Sequence, residues 1–343
     1  MSSETQQRRK QVLSGIQPTG NLHLGRYFGA VKNWVDLQDK YDCIYSIVDY
    51  HALTAPFDPK KLRELVWNLA FELLAVGVKP ENLFIQSTIP EHTELAWIFN
   101  CCSSHDEVSR MTQFKDKSQQ IAEKDKDAFI STGLFTYPVL QAADILIYRA
   151  DYVPVGKDQD QHLELTRNIA QRFNQIVEKE YFVLPETLYT ETPKVLSTAD
   201  PSKKMSASRG PKHQINIFSD ADTIRKQIKS AVTDSGDTPA GQLSPGVQNL
   251  FSLLEAAGGM DISTSLKADA IAGTLQYGKL KEATADQIIS YTDKFREKRK
   301  AIDQDQKVYK EKIMDSSVII RKKAQETLRD VKDLIGLTNI KSF

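Results

Sequence analysis

Cysteine is scarce. There are three in 343 residues, Cys43, Cys101 and Cys102, and two of them are adjacent. An odd, unspaced set argues against a secreted disulfide framework, and so few thiols make no zinc knuckle, so no structural metal is expected. Charge of one sign is also lacking: 45 Lys and Arg face 45 Asp and Glu. The net charge therefore points to no nucleic-acid partner, although a local patch would escape that sum. No run of 18 apolar residues is present, and the polar stretch Met1–Gln11 has no apolar signal-peptide centre. A cytoplasmic enzyme with no membrane contact and no DNA partner is expected. GxxxxGK[ST] does not occur and the first turn lacks GxGxxG, which excludes a P-loop and leaves a dinucleotide oxidoreductase with weak support. Neither an internal repeat nor a low-complexity segment is visible.

What is present is an α/β alternation. Val12–Ile16 reads as a strand, and a helix from about Tyr27 to Lys40 carries Phe28, Val31, Trp34 and Leu37 at helical spacing. Cys43–Asp49 is short, β-branched and nearly all apolar, as central parallel strands are. Asp58-Pro59 opens a helix to about Val76, Leu83–Ser87 reads as a third strand, and Pro90 starts another helix. Strand and helix repeated in this way predict a doubly wound, Rossmann-like parallel sheet. Residues 119–127 read as solvated, 129–148 as an apolar helix, and Asp151–Gly156 as a short strand and turn before a helix at Leu163. Residues 183–199, with Pro185 and Pro193, read as irregular. Beyond about 218 the strand signal fades, and helices are expected at 220–230, 247–257, 264–275, 281–299 and 303–335.

Several clusters carry chemistry. Between the first strand and its helix lies Pro18–Thr19–Gly20–Asn21–Leu22–His23–Leu24–Gly25–Arg26, a corner where polyphosphate oxygens could approach backbone N–H groups at a helix start. Asp49–Tyr50–His51 follows the second strand, at the sheet edge where ligands bind in open α/β folds. Tyr137, Gln141 and Asp144 share one face of an otherwise apolar helix, which suits either a pocket or a helix whose Asp144 pairs with a neighbour. Lys157–His162 is a polar cluster at a strand end. Lys203–Pro211 is a small basic loop, either a mobile phosphate contact or an ordinary surface loop. Basic groups at 294–300 and 321–323 could meet a nucleic-acid backbone, but acidic residues interleave with the first of them. Such a set suits adenylation, in which a carboxylate attacks the α-phosphate of ATP and positioning does most of the work.

His23–Leu24–Gly25–Arg26 resembles the HIGH signature of class I aminoacyl-tRNA synthetases, and Lys204–Met205–Ser206–Ala207–Ser208 resembles their KMSKS signature. Within that class the chain resembles the bacterial-type tryptophanyl-tRNA synthetases from Ser14 to the last helix. The likeness is closest at Ser14–Gly20, Arg110–Lys115, Tyr137–Asp144, Val153–Gln161 and Ala231–Asp234. The resemblance implies that Gln17, Thr19, Gly20, His23 and Gly25 line an ATP site together with Gly156, Asp158 and Met205. Lys204 and Ser206 would stabilise the pyrophosphate end, and Lys115 would reach the phosphates. Asp144 would accept the indole N–H, Tyr137 and Gln159 would hold the substrate amino group, and Asp49 and His51 would face the tryptophan or adenylate pocket. ATP with Mg²⁺, L-tryptophan and tRNA(Trp) are the implied ligands, and a homodimer the implied assembly, with Leu95–Phe99 and 101–114 as interface material. Two departures stand out. Ala207 occupies the place of the second signature lysine, and Gln141 occupies a place where methionine commonly packs on the indole, with an amide that could bond Asp144.

The implied organisation is a flexible lead at 1–10, a catalytic domain at 11–218, a helical anticodon-binding domain at 219–305, and C-terminal helices at 306–343 packing back on the catalytic domain. Two rivals differ in kind: a tyrosyl-tRNA synthetase, and a non-catalytic, synthetase-derived regulator that binds tryptophan or tRNA.

Overall fold

A computed structural model describes residues 8–124, 129–156, 160–189, 193–234 and 242–339. The elements in order are β1 (Gln11–Ile16), α1 (Leu24–Arg26), α2 (Lys32–Leu37), β2 (Asp42–Ile47), α3 (Asp49–Ala52), α4 (Pro59–Val76) and β3 (Leu83–Ile85). There follow α5 (Glu91–Cys102), α6 (His105–Ser109), α7 (Thr112–Lys124), α8 (Thr132–Leu146), β4 (Tyr152–Pro154), α9 (Asp160–Ile176) and β5 (Glu186–Leu188). The helices α10 (Ala221–Lys229), α11 (Pro245–Ala256), α12 (Met260–Ile271), α13 (Tyr277–Gln304) and α14 (Gln306–Leu334) complete the chain.

Among the described residues five strands form one sheet in the order β3-β2-β1-β4-β5, with every pairing parallel. Both faces are covered, so alternate side chains feed two cores. Val12, Ile16, Cys43, Tyr45, Ile47, Leu83 and Ile85 join one core, and Leu13, Ile44, Phe84 and Val153 join the other. The first core continues through Ile224, Leu250, Leu280 and Phe295, so apolar packing runs unbroken from the sheet into the C-terminal helices. There α13 lies on α4, α10 and α11, while α14 lies on β3 and α5.

Several elements differ from the sequence expectation, each for a local reason. The first helix begins at Leu24 rather than Tyr27, because His23 caps it: its Nδ1 accepts the Arg26 N–H at 3.3 Å. It then passes through a π-turn at Tyr27–Val31 that contains Gly29 and ends at Leu37. β3 stops at Ile85, and Gln86–Thr88 form a 3₁₀ turn whose Ser87 N–H is taken by Asp49. β5 lies inside the stretch expected to be irregular. It is a three-residue strand that, among the described residues, pairs only with β4, too short and too polar to show a strand period. The helix expected at 281–299 extends over Tyr277–Gln304 and is separated from α14 by Asp305 alone. Arg8 and Lys10 both reach Asp151, at 3.0 and 2.9 Å, which ties residues 8–10 to the start of β4.

Candidate active site

Strand order reverses between β1 and β4. The crevice beyond the carboxyl ends of strands at such a switch point is where open α/β sheets bind ligands. A cavity of about 420 Å³ lies there. It is walled by Leu13–Gln17 of β1 and its turn, Val153–Gly156 of β4 and its turn, and Gly29, Ala30 and Trp34 of the first helix. The π-turn thus brings two residues with almost no side chain to the cavity wall. Trp34 stacks on Tyr45 at 4.5 Å between ring centroids, and the Tyr45 hydroxyl donates to the Trp34 carbonyl at 2.8 Å, which fixes that wall.

Asp144, Gln141 and Tyr137 on α8 line the cavity as the helical spacing predicted, together with His51 from the end of β2. Asp144 is buried, and three residues donate to it. His51 Nε2 lies 2.8 Å from Oδ2, His92 Nδ1 2.6 Å from Oδ1, and Gln86 Nε2 2.8 and 2.9 Å from the two oxygens. Burial alone would raise this acid. The histidine donors outweigh it and bring the Asp144 pKa down to about 2. The polarity of the donors is set from outside. Gln86 Oε1 accepts the Tyr50 N–H at 3.1 Å, which turns its NH₂ toward Asp144. An ionised carboxylate only accepts, so His92 Nδ1 carries hydrogen; in the neutral ring Nε2 then accepts from the Tyr148 hydroxyl, 2.8 Å away. Gln86, not Gln141, is therefore the amide bonded to Asp144, because it projects from the end of β3 across the sheet edge.

Tyr137 donates to Gln113 Oε1 at 3.1 Å and lies 2.8 Å from His162 Nε2, and burial pushes its phenol up to about 12. Lys117 lines the same cavity with its ammonium 4.9 Å from the Tyr137 ring centroid, and burial lowers its pKa. Lys115, two residues earlier on α7, is exposed and does not line the cavity. Asp49 does not line it either; it accepts from the Ser87 N–H at 2.9 Å and holds the turn after β3.

The second half of the site is the corner before α1. Gly20 takes φ +82°, a backbone region that glycine enters without strain. Arg26 donates to the carbonyls of Gln17 and Thr19, holding that turn. His23 is buried. That desolvation, with the nearby Arg26 charge adding to it, lowers its pKa to about 4, so the imidazole is neutral at pH 7. The Lys204 loop packs directly on this corner. A Cβ placed on Gly25 would lie 3.0 Å from the Met205 Cβ, and one on Gly20 would lie 3.2 Å from the Ala207 Cβ. The chain after the loop pairs with the corner as well: Leu24 N–H donates to Ile215 O at 2.9 Å and Ile217 N–H to Leu22 O at 3.2 Å. Met205 is buried, whereas Lys204 is exposed and has no ion-pair partner among the described residues.

This geometry has close counterparts. The model of the family described as tRNA synthetases class I (W and Y) matches residues 5–292. The tryptophan--tRNA ligase of Wolinella succinogenes is 43% identical over 336 residues, covering 96% of this chain and 99% of that protein. The chain belongs to the bacterial-type tryptophanyl-tRNA synthetases. The crystal structure of the Campylobacter jejuni tryptophanyl-tRNA synthetase complexed with ADP and tryptophan superposes with a TM-score of 0.80 at 35% identity, covering 95% of this chain and all of that one. The Mycoplasma pneumoniae tryptophanyl-tRNA synthetase gives a TM-score of 0.82 at 33% identity, covering 96% and 98%.

Within this family member, Gly25 meets Met205 and Gly20 meets Ala207 although corner and loop come from distant parts of the chain, and Asp144, Tyr137, Gln141, His51, Gln17 and Gly156 share one cavity. Thr19, Gly20, His23, Gly25 and Lys204–Ser206 lie outside the cavity lining, on the adjoining corner. Asp158 and Gln159 fall outside the described residues. Sequence reading gave no role to Gln86, His92 or Lys117; Gln113 stood inside the Arg110–Lys115 likeness and His162 at the end of the polar cluster Lys157–His162, neither with a role of its own. Gln86 was findable, since it lies at the carboxyl end of the predicted strand Leu83–Ser87, at the ligand-binding edge; a lone His92 near a helix start carried no such signal.

Proposed function

We propose that the cavity binds L-tryptophan with Asp144 accepting the indole N–H, and that the corner and the Lys204 loop hold ATP. The chain activates L-tryptophan with ATP and charges tRNA(Trp). The tryptophan carboxylate oxygen bonds to the α-phosphorus, the α–β anhydride bond breaks, and pyrophosphate leaves. A hydroxyl of the tRNA's 3′-terminal adenosine then attacks the activated carbonyl, loses its proton, and releases AMP.

The observation that carries this reading is the buried, ionised Asp144 on the cavity wall. Three donors keep it charged, and an ionised carboxylate only accepts, so it offers a partner to a ligand that brings an N–H into the cavity and none to a purely apolar ring. Tyr137, beside it, is suited to the substrate amino group, as is Gln159. His23, neutral and hydrogen-bonded, is a phosphate donor rather than a charge; Lys204, Ser206 and Lys115 supply the polar and cationic contacts to the leaving group. Among the described residues no group of three or more His, Cys, Asp or Glu could hold a metal ion. Mg²⁺ would come with the nucleotide as a phosphate counter-ion and would supply charge neutralisation there. The helical stretch 219–305 is the proposed reader of the tRNA anticodon, 11–218 the catalytic unit, and the cytoplasm the proposed setting; no helix among the described residues is long and apolar enough to cross a membrane. For the homodimer, Leu95 and Phe99 face the chain's own core, which leaves Trp97, 71% exposed on α5, as the apolar contact that segment offers a second copy.

Amino-acid-dependent ATP–pyrophosphate exchange tests this on the wild type and Asp144→Ala. The expected result is exchange with tryptophan, none with tyrosine, and loss of exchange in the variant. Exchange with tyrosine, or an Asp144→Ala enzyme as fast as the parent, would overturn the assignment.

A further inference from the structure

On α4, Glu72 interrupts an apolar run, Leu69–Ala70–Phe71 before it and Leu73–Leu74–Ala75–Val76 after it, and is only 3% exposed. It has no part in the substrate chemistry described above. A carboxylate survives in such a place only where donors meet it. Glu72 Oε2 accepts the backbone N–H of Leu22 at 2.9 Å, Oε1 accepts the Asn68 amide at 3.1 Å, and the Arg299 guanidinium of α13 stands 4.0 Å away. Burial raises the acid's pKa, and the Leu22 N–H is first among the groups that oppose the rise.

Leu22 directly precedes His23. Its N–H is held by Glu72 from α4, and its carbonyl by the Ile217 N–H from the segment after the Lys204 loop. Both backbone groups of that residue are thereby clamped. Arg299 is itself well anchored. It donates to Asn68 Oδ1 at 2.8 Å and to Asp303 at 3.0 and 3.1 Å, and lies over the rings of Phe71 and Phe218. A continuous set of polar contacts thus joins α13 to the backbone beside His23.

We propose that Glu72 is a positioning residue for nucleotide activation, its carboxylate setting the backbone of Leu22 and hence the place of His23, with Arg299 tying that setting to the C-terminal helices. This rests on the reading of the corner as the ATP site. Glu72 touches the corner and not the cavity around Asp144. A fault at Glu72 therefore falls on ATP and spares tryptophan.

The test measures KM for ATP, KM for tryptophan and kcat in tryptophan-dependent ATP–pyrophosphate exchange, with thermal melts, for wild type, Glu72→Leu, Glu72→Gln and Arg299→Met. Glu72→Leu leaves the Leu22 N–H without its acceptor and should raise the ATP KM by about tenfold, with the tryptophan KM within about twofold of the parent. Glu72→Gln keeps an acceptor oxygen and should recover most of that loss. An unchanged ATP KM in a folded Glu72→Leu enzyme, an equal rise in both KM values, or a Gln variant no better than Leu overturns the proposal. If Glu72→Leu fails to melt cooperatively, Arg299→Met decides: an ATP-specific KM rise of about threefold supports the link, and no rise overturns it. If the wild type shows no exchange, the activity reading fails instead, and ATP affinity by calorimetry decides Glu72 on the same pattern.

Discussion

The two halves of the site are built on opposite principles. Around Asp144 the polar groups are buried and already bonded to one another: His51, His92 and Gln86 on the carboxylate, Tyr148 behind His92, and the Tyr50 N–H behind Gln86. At the corner and loop the backbone is clamped, but the signature lysine is exposed: Lys204 stands in solvent, as does Lys115 on α7. On the proposed assignment, a neutral aromatic substrate is selected by shape and one N–H, which demands acceptors held rigidly in a dry wall. A tetra-anionic nucleotide is drawn by charge and changes during the reaction, which suits long side chains that can follow it. The first half carries its cost in folding, and the second is left free to respond to the reaction.

That contrast can be broken from either side. The largest effect is expected for Lys204→Ala, which should lower kcat for exchange by about 10²–10³-fold while leaving the tryptophan KM and the melting temperature unchanged. Stopped-flow or exchange kinetics with a thermal melt would check it, and an equal loss of stability would place Lys204 with the rigid half instead. Next comes His92→Leu, which removes one donor from Asp144. We expect kcat/KM for tryptophan to fall by about ten- to a hundredfold. The Asp144 acid, now held at about 2 by these donors against its burial, should rise. Tryptophan kcat/KM should therefore gain an acid limb, falling toward low pH in the variant while the wild type stays flat there.

Gly25→Ala probes the seam between corner and loop, because its Cβ would sit 3.0 Å from that of Met205. A tenfold or so loss of kcat with a rise in ATP KM is expected, with tryptophan binding retained. Unaltered kinetics would show that the loop need not lie against Gly25 during the reaction. The smallest effect is on stability against pH. Burial, then the Arg26 charge, holds His23 at about 4, whereas an unperturbed histidine stands at 6.5. Between those values the unfolded chain binds the extra proton, so His23's contribution is complete above about pH 6.5 and is lost as pH falls to about 4. Melting temperature should drop across that window in the wild type and less in His23→Asn. A parallel fall in both would mean other groups dominate.

Much of the site was legible because its residues lie in local patterns. The corner is a contiguous run between a strand and a helix, and Tyr137, Gln141 and Asp144 share a face by helical period alone. The short apolar runs at Val12–Ile16 and Cys43–Asp49 declared buried parallel strands. Less could be read where the signal was short or non-periodic. β5 is three residues without alternation. The bounds of the first helix depended on a side-chain cap and a π-turn. Of the neighbouring pair on α7, Lys115 stands in the resemblance but Lys117 is the one that lines the cavity.

The order and spacing of residues by themselves determined the parallel α/β sheet, the two signatures and the α8 stripe, because hydrophobic period and turn chemistry act over a few residues at a time. Which side chains meet was decided by the tertiary structure alone. Gln86, His92 and His51 reach Asp144 because strands β2 and β3 and helix α8 end, and helix α5 begins, at one edge, and Glu72 reaches Leu22 because α4 crosses the corner. Those contacts join residues far apart in sequence, and no local period encodes them; they exist only once the buried charges and donors have had to find one another away from water.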